Sequence, residues 1–579
     1  MRVKRDDEKL IGLIVGGISN EFSKDIIKGV SNSIPYNSNV RLAILPGELM
    51  VQSFQGDGVA MHNYMYNSIY NLGSVCKMDG IIIAMGSVGW ALNDEQIMEF
   101  LGQFNDIPLV LIASDIEGYT TINYDNKMGI NEAIDVLVGV YGVGCIGMLG
   151  GYDENIDSVR RRDIYFECLR ENGLKFRESM YVTSDMSENS EEAAEKLLDA
   201  NPDLQAVFCV NDASAVGLYN VMRKRGIVPG KDLFVFGFDN TRMSAEMVPP
   251  LSSVGSESVT LGEKAYDLLM RKINHEQVES FDIPTRLYGR ESLPYEKYVF
   301  SMRDISNLND EFIYSMFDDC FYRYSNEHFS RENINLRRLF YEMISRIFNG
   351  IKKRYIEMDD FNNMLNLVDI FFKSGAMEYT DVRKYLRNLS RLQVGINRGY
   401  KDRDITLINR IFLRMKDDAL IALAEMRKKE NDEDNDYRSD FRKFIIKGMN
   451  YIGDAEAVRT DLLLSMNMMG INNGAYYEFD HPVSREDMIN KTYPNHINLV
   501  GVLKNKETYL IPASKQRRPL SEIFLQREIK IYNKNFVTFP IFYENSFYGF
   551  LLCELNDEIY NRGGIVCSVL SMIVHSFKG

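Results

Sequence analysis

Positive charge is short in this chain. Its 67 Lys and Arg face 82 Asp and Glu, a net charge of −15. That balance opposes broad electrostatic attraction to nucleic acid or to anionic membrane surfaces, while leaving room for a local basic patch. Cysteine is also scarce: Cys76, Cys145, Cys168, Cys209, Cys320, Cys553 and Cys567 are odd in number and scattered, mostly in apolar runs. Such spacing suits reduced core thiols in a cytoplasmic protein and excludes a disulfide scaffold. Long hydrophobic runs are missing. Residues 1–8 hold no apolar signal region and no stretch is long enough to cross a bilayer, so neither secretion nor a membrane partner is expected.

The constellations of catalysis are missing too. His62, His275, His328, His481, His496 and His575 are isolated, without metal-ligand spacing, and no Cys-x-x-Cys occurs. There is no Gly-x-Ser-x-Gly elbow and no Walker loop. Gly150-Gly151 follows an apolar run but lacks the further glycines of a phosphate cradle. The expectation is therefore a protein that is not an enzyme, with no metal and no cofactor.

What is present is organised around 203–240. An apolar run, Ala206-Val-Phe-Cys-Val210, leads into Asn211-Asp212 and a helical pattern, and a second run, 233–238, ends in Gly237-Phe-Asp239. This is a parallel β-α-β unit, and in such sheets ligands sit at the carboxyl edge. Further apolar runs at 10–15, 40–45, 80–84, 109–112, 145–149 and 180–182 alternate with helical patterns. Runs apolar at nearly every position suit strands covered on both faces, giving a doubly wound α/β domain that repeats once. At 579 residues the chain should form roughly three to five domains.

Ser19-Asn-Glu-Phe22, Asp79-Gly-Ile-Ile-Ile83, Ile107-Pro-Leu-Val110, Asp125-Asn126 with Gly129, Arg161, Asn211-Asp212, Gly237-Phe-Asp239, Pro250-Leu-Ser-Ser-Val254, Leu261-Gly262 and Arg290-Glu-Ser292 follow in order across nearly 290 residues. Together they resemble the ligand-binding core of the lactose-repressor and ribose-binding-protein family, the type I periplasmic-binding fold. The resemblance implies two lobes joined by three crossovers, spanning 9–293, with a sugar or nucleoside-like molecule between them. Carried over residue by residue, it implies ligand contacts from Asn20, Phe22, Gly86, Ser87, Asp125, Arg161, Asn211 and Asp239. Asp239 and Asp125 would accept pairs of hydroxyls, and Arg161 would offer a planar fork of donors. Asn211 and Asp212 have a second reading, as helix caps. Arg161 belongs to the run 160–162, of which one or two must be solvated. Ile164-Tyr165 stands where the family usually has Gly-Phe. Trp90 follows Ser87-Val-Gly and is read as lining the cleft mouth or as packing. Family repressors place a helix-turn-helix before the first strand, and 1–8 are too few to form one, so DNA is not expected as a partner.

From 294 to 440 the pattern is helical. Leu336, Leu339, Phe340, Met343, Ile344, Ile347 and Phe348 share one face, as do Ile408, Ile411, Phe412, Met415, Ala419 and Ala422. This segment reads as a bundle or as a dimeric transmission module. The charge run 428–436 is read as a solvated loop marking a boundary. From 441 to 579 a long helix over 441–469, strands at 474–479, 497–503 and 508–511, the hairpin 536–543 with 546–555, and a closing helix over 564–577 look like an α+β GAF-like domain, whose tyrosines are read as packing. Proteins of similar arrangement continue into a GGDEF cyclase, a histidine kinase or a DNA-binding segment, and neither a GGDEF stretch nor a kinase glycine loop occurs here.

The expected function is a cytoplasmic, homodimeric sensor of a sugar or nucleoside-like molecule in a signal-transduction or transcription-regulatory system, acting on a downstream signalling protein. The alternatives are a regulator contacting DNA through a segment other than the N-terminus, a scaffold with an empty cleft, or a fragment lacking its output domain.

Overall fold

The computed structural model describes residues 8–578 apart from 36–37, 51–57, 90–91, 154, 296–308, 322–323, 325–334, 354–355, 401–404, 450–454, 490–491 and 526–534. Residues 1–295 and 439–579 form one compact unit, and 296–438 form another.

In the first unit, β1 (Lys9–Gly16), β2 (Val40–Gly47), β3 (Gly80–Ala84), β4 (Leu109–Ile112), β5 (Thr120–Asp125) and β11 (Phe281–Pro284) make an all-parallel sheet in the order β11-β5-β4-β3-β1-β2. Leu10, Ile11, Leu13, Ile14 and Val15 of β1 are all buried, because helices cover both faces. Two of these, Glu21–Ser33 and Ser258–Ile273, touch backbone to backbone at a pair of glycines. A Cβ on Gly29 would lie 2.1 Å from the Val259 carbonyl, and one on Gly262 would lie 2.4 Å from that of Ile26.

A second lobe is built from β6 (Ile146–Gly150), β7 (Tyr181–Thr183), β8 (Ala206–Cys209), β9 (Phe234–Phe238), β10 (Ser252–Gly255) and β12 (Arg286–Tyr288), in the order β12-β10-β9-β8-β6-β7. On one face Phe208 and Phe236 pack against Tyr165, and the other face packs against Leu197, Leu218 and Met222. The chain passes between lobes at 125–126, at 255–258 and at 284–286, the three crossovers that the resemblance implies.

The second unit is helical: Asp310–Cys320, Leu336–Lys353, Met358–Lys373, Val382–Gly399 and the first part of Thr406–Met449 enclose a core with Phe317, Phe321, Phe340, Phe371 and Tyr385 at its centre. Helix 406–449 departs from the sequence expectation. It runs straight through the charge run 428–436, and the helix expected over 441–469 is divided between its end and a separate helix, Ala455–Met466. Lys428, Lys429, Glu430 and Glu433 are good helix formers and the Asn and Asp between them are poor ones, so this stretch with no apolar face extends a helix already nucleated on its packed part.

The final segment carries β13 (Gly474–Ser484), β14 (His496–Lys504), β15 (Glu507–Leu510), β16 (Arg517–Pro519), β17 (Asn535–Tyr543) and β18 (Ser546–Glu554), with helix Asp557–Lys578 packed on β17. The order is β17-β18-β13-β14-β15, all antiparallel, with β16 beside β14. This sheet is not separate from the first lobe. β17 pairs in parallel with β2, Asn535 to Leu42, Phe536 to Ala43 and Val537 to Ile44, and one 12-stranded sheet results. The edge of β2, which would otherwise present unpaired backbone groups, is thereby closed.

Candidate functional site

The strand-to-helix turns of the two lobes meet. The Glu21 carboxylate, at the start of the first helix of lobe 1, accepts from the Arg242 backbone N–H of lobe 2 at 3.1 and 3.0 Å. Arg160 of lobe 2 pairs with Asp115, which follows β4 in lobe 1.

Arg161 sits between these contacts, on helix Ile156–Glu171, and its residue is only 5% exposed. One arm of the guanidinium donates to the Val210 carbonyl at 2.8 Å, at the end of β8. The other lies 3.1 Å from the Asp239 carboxylate, just past β9. The plane of the group stacks on Phe238, 3.7 Å from the ring centroid, and its buried Nε–H has no partner among the described residues. Of the run 160–162 it is the buried member, while Arg162 pairs with Asp153 and Asp163. The Asp239 side chain keeps 40% of its surface accessible. Partial burial pushes its carboxyl above the usual range, Arg161 pulls it down, and the charge of Asp157 adds to the rise. A half-open carboxylate braced by a charge-assisted contact is chemically suited to accept hydroxyl groups of a polar ligand.

Asp239 (φ 98°) and Asn240 (φ 49°) both lie in the left-handed region, which non-glycine residues rarely occupy, so the turn that presents Asp239 must be held from outside. Asp239 N–H donates to the Val254 carbonyl at 2.8 Å, and Asn240 N–H donates to Ser253 Oγ at 3.0 Å. Arg290 donates to Asn240 Oδ1 at 2.6 Å and to the Leu251 carbonyl at 2.7 Å. Beneath the turn lies Asp212, fully buried. It accepts from Thr241 N–H at 2.8 Å, Thr241 Oγ at 2.9 Å and Ser253 Oγ at 2.6 Å. A Cβ on Gly237 would come within 2.3 Å of its Oδ1, so the glycine in Gly237-Phe-Asp239 makes room for this carboxylate.

Burial pushes the Asp212 carboxyl up to about 7, the neighbouring Asp239 charge adds to the rise, and the donors from Ser253 and Thr241 and the charge of Arg290 oppose it. The folded value exceeds the unfolded one near 3.8, so the native state holds an extra proton between the two. This contribution to stability is full below that window and is lost as pH rises through it. Asp212→Asn, which keeps an acceptor for Thr241, is expected to shrink the gain in melting temperature between about pH 7.5 and about pH 5, read by scanning calorimetry. An unchanged pH dependence would show that Asp212 does not titrate in that range.

The remaining residues singled out in the sequence are occupied by their own loops. Asn20 caps helix 21–33, accepting from Ser23 N–H at 2.7 Å, while its amide donates to the Gly16 and Gly17 carbonyls at 2.5 and 2.6 Å. Ser87 Oγ accepts from Gly16 N–H at 3.0 Å and donates to the Ala84 carbonyl at 2.9 Å. Asp125 caps helix Asn126–Asp135 through Lys127 and Met128 N–H at 3.1 and 3.2 Å. Asn211 caps helix Asp212–Arg225 through Ser214 N–H at 2.9 Å, and its amide reaches the Met186 carbonyl at 2.9 Å. The cap therefore falls to Asn211, and Asp212, read with it as a cap, serves the Asp239 turn. Gly86 lies where a Cβ would meet that of Ala113 at 2.7 Å, and Phe22 is half-buried. For Asn20, Asp125 and Asn211 the physical reason is common: a helix start leaves backbone N–H groups unsatisfied, and the nearest short polar side chain takes them. Trp90 lies outside the described residues.

Sequence reading overlooked Thr241, and took Ser253 and Arg290 only as family marks. Their signal was weak, since a buried hydroxyl and a solvated one look alike in a sequence. Among the described residues no group of three or more His, Cys, Asp and Glu could hold a metal ion, and no helix is long and apolar enough to cross a membrane.

Residues 141–293, which take in most of the second lobe and the stretch of the first between the last two crossovers, match the family model described as a periplasmic binding protein-like domain. The chain is 29% identical over 288 residues to catabolite control protein A of Priestia megaterium, covering 49% of this chain and 81% of that protein. It is 24% identical over 297 residues to the HTH-type transcriptional repressor PurR of Photobacterium profundum, covering 50% and 83%. A solved structure of a transcriptional regulator, CelR, with cellobiose is 22% identical, covers 49% of this chain and 86% of its own, and superposes with a TM-score of 0.41. Residues 9–293 thus form a two-lobed, periplasmic-binding-protein-like α/β domain, similar in sequence to transcription regulators.

Proposed function

We propose that residues 9–293 close on a small polar molecule, a sugar or nucleoside-like compound, and that the chain is a ligand-responsive regulator. The observation that carries this reading is the half-open Asp239 carboxylate, braced by Arg161 on a clamped, left-handed turn at the place where the lobes meet. Strain of this kind persists where surroundings over-determine it, and it clusters at ligand clamps. Ligand contact by Asn20, Phe22, Gly86, Ser87, Asp125 and Asn211 would then come as their loops adjust around the bound molecule. In this reading the protein is a cytoplasmic homodimer, the helical unit transmits the ligand signal, and the GAF-like segment faces a downstream partner.

The similarity to a catabolite control protein and an HTH-type repressor favours a transcription-regulatory system over other signalling. It also supports a second reading, that the chain contacts DNA itself through a segment outside 9–293. With a net charge of −15, that contact would need basic side chains gathered locally.

Thermal-shift screening against sugars and nucleosides tests the proposal. A true ligand at about 100 times its Kd stabilises the native state by about 2.7 kcal/mol and raises the melting temperature progressively with concentration. The expected result is such a shift for one chemical class. Its absence across both classes would leave a scaffold with an empty cleft. Gel shifts at physiological salt with and without that ligand decide the second reading, since ligand-dependent retention of DNA is expected only if the chain binds it.

A further inference from the structure

The helical unit begins and ends on different lobes. Its entry is fastened to lobe 2. Leu293 is buried in the core of that lobe, its N–H and carbonyl both bonded to Ser252 Oγ at 2.9 Å. Ser292 brackets Val235 of β9, its carbonyl accepting from Val235 N–H at 3.1 Å and its hydroxyl donating to the Val235 carbonyl at 2.6 Å. Tyr295, the last described residue before the unit, packs on the same core.

The exit leads to lobe 1. Helix 455–466 packs on the final sheet, where Leu463 is buried and Gly501 leaves room for it: a Cβ there would lie 2.5 Å from Leu463 Cδ1. That sheet is joined to lobe 1 by the β2–β17 pairing. Arg41 donates to the Phe524 carbonyl at 3.1 Å, Asn71 donates to Tyr493 Oη at 2.7 Å, and His62 rests on Phe542 with ring centroids 5.0 Å apart.

We propose that the helical unit 296–438 is a covalent strap between the lobes, so that closure of the cleft is read as a change in the separation of its two attachment points. The three crossovers let the lobes rotate against each other, and any rotation moves Tyr295 relative to helix 455–466. The unit has its own closed core, and the helix that leaves it, 406–449, 44 residues and about 66 Å long, is a stiff element through which one end can act on the other. By reciprocity, whatever holds the strap in one form also biases the cleft. The proposal rests on the sensor reading of 9–293 and adds how that sensor is regulated and heard.

The test closes the lobes without any ligand. In a full-length Cys145→Ser background, whose other six cysteines are buried, Asp115→Cys and Arg160→Cys are joined by a short bismaleimide. The control is the same protein capped with N-ethylmaleimide. Amide exchange is then followed in helices 336–353, 382–399 and 406–449. A change of at least about threefold in exchange between linked and capped protein is expected, with loss of that difference once an inserted protease site within 296–308 is cut. Equal exchange in those helices while the crossovers at 125–126 and 284–286 slow would overturn the strap, as would a difference that survives the cut. Because no ligand is used, a silent thermal-shift screen would count against the sensor reading alone.

Discussion

Calorimetric titration of the Asp239→Ala protein with the compound found by the screen should show affinity reduced by at least about 100-fold. A hydrogen bond to a charged group contributes about 1.5–3 kcal/mol, and a carboxylate holding two ligand hydroxyls loses both on truncation. Since 1.4 kcal/mol is a factor of ten, even the lower bound for two bonds passes 100-fold. The folded state should be little affected. The carboxylate is 40% accessible, burial already disfavours its charge, and Arg161 keeps the Val210 carbonyl and the Phe238 ring when it is gone. Alanine adopts φ 98° poorly, so Asp239→Asn is the companion variant: asparagine tolerates the left-handed region and removes only the charge. Both should bind weakly, the Asn variant melting close to the parent and the Ala variant somewhat below it. Affinity within about threefold of the parent in the Asn variant would remove Asp239 from the ligand site.

Phe542→Ala should destabilise the protein by about 3–5 kcal/mol, the usual loss when a buried Phe is truncated. Phe542 lies on β17 at the seam between the final sheet and lobe 1, buried, facing His62 at 5.0 Å and meeting Tyr66 edge-on at 6.2 Å. Its backbone is held from the other side by Ser571 Oγ at 3.2 Å, so the strand cannot collapse easily to fill the void. The loss should be local before it is global. Exchange of the amides paired across Leu42–Asn535 to Ile44–Val537 is expected to quicken, while amides of β6 and β8 in lobe 2 stay protected. Urea unfolding gives the energy, and exchange gives the place. Loss of protection in lobe 2 first would mean that the seam does not depend on this ring.

Much of the architecture was legible because it is written in apolar runs. β1, β2, β3, β4, β6, β8 and β9, like β17 and β18 of the final segment, are apolar runs buried on both faces. The strands that went unread, β5, β10, β11, β12 and β16, are short or polar: Thr-Thr-Ile-Asn-Tyr-Asp in β5, and Ser252-Ser253 in β10, whose hydroxyls are buried only because Asp212, Leu293 and Arg290 stand beside them. Burial of a serine is decided by its neighbours in space, and periodicity carries no trace of it. The helix through 428–436 was missed because charge rich in Asn and Asp was taken as a sign of loop, whereas a helix nucleated on the packed part before it continues through.

The sequence alone determined the alternation of strand and helix and offered the cap at Asn211 as one of two readings, since a cap needs only residues close in the chain; Asn20 and Asp125, read as ligand contacts, cap their own helices as well. Tertiary structure decided which of three consecutive arginines turns inward, because successive helical positions point about 100° apart and only the packed strands select one. It also decided that β17 would close the edge of β2, nearly five hundred residues earlier. A cap is satisfied by its own turn, whereas an open sheet edge can be paired by any strand the fold brings to it.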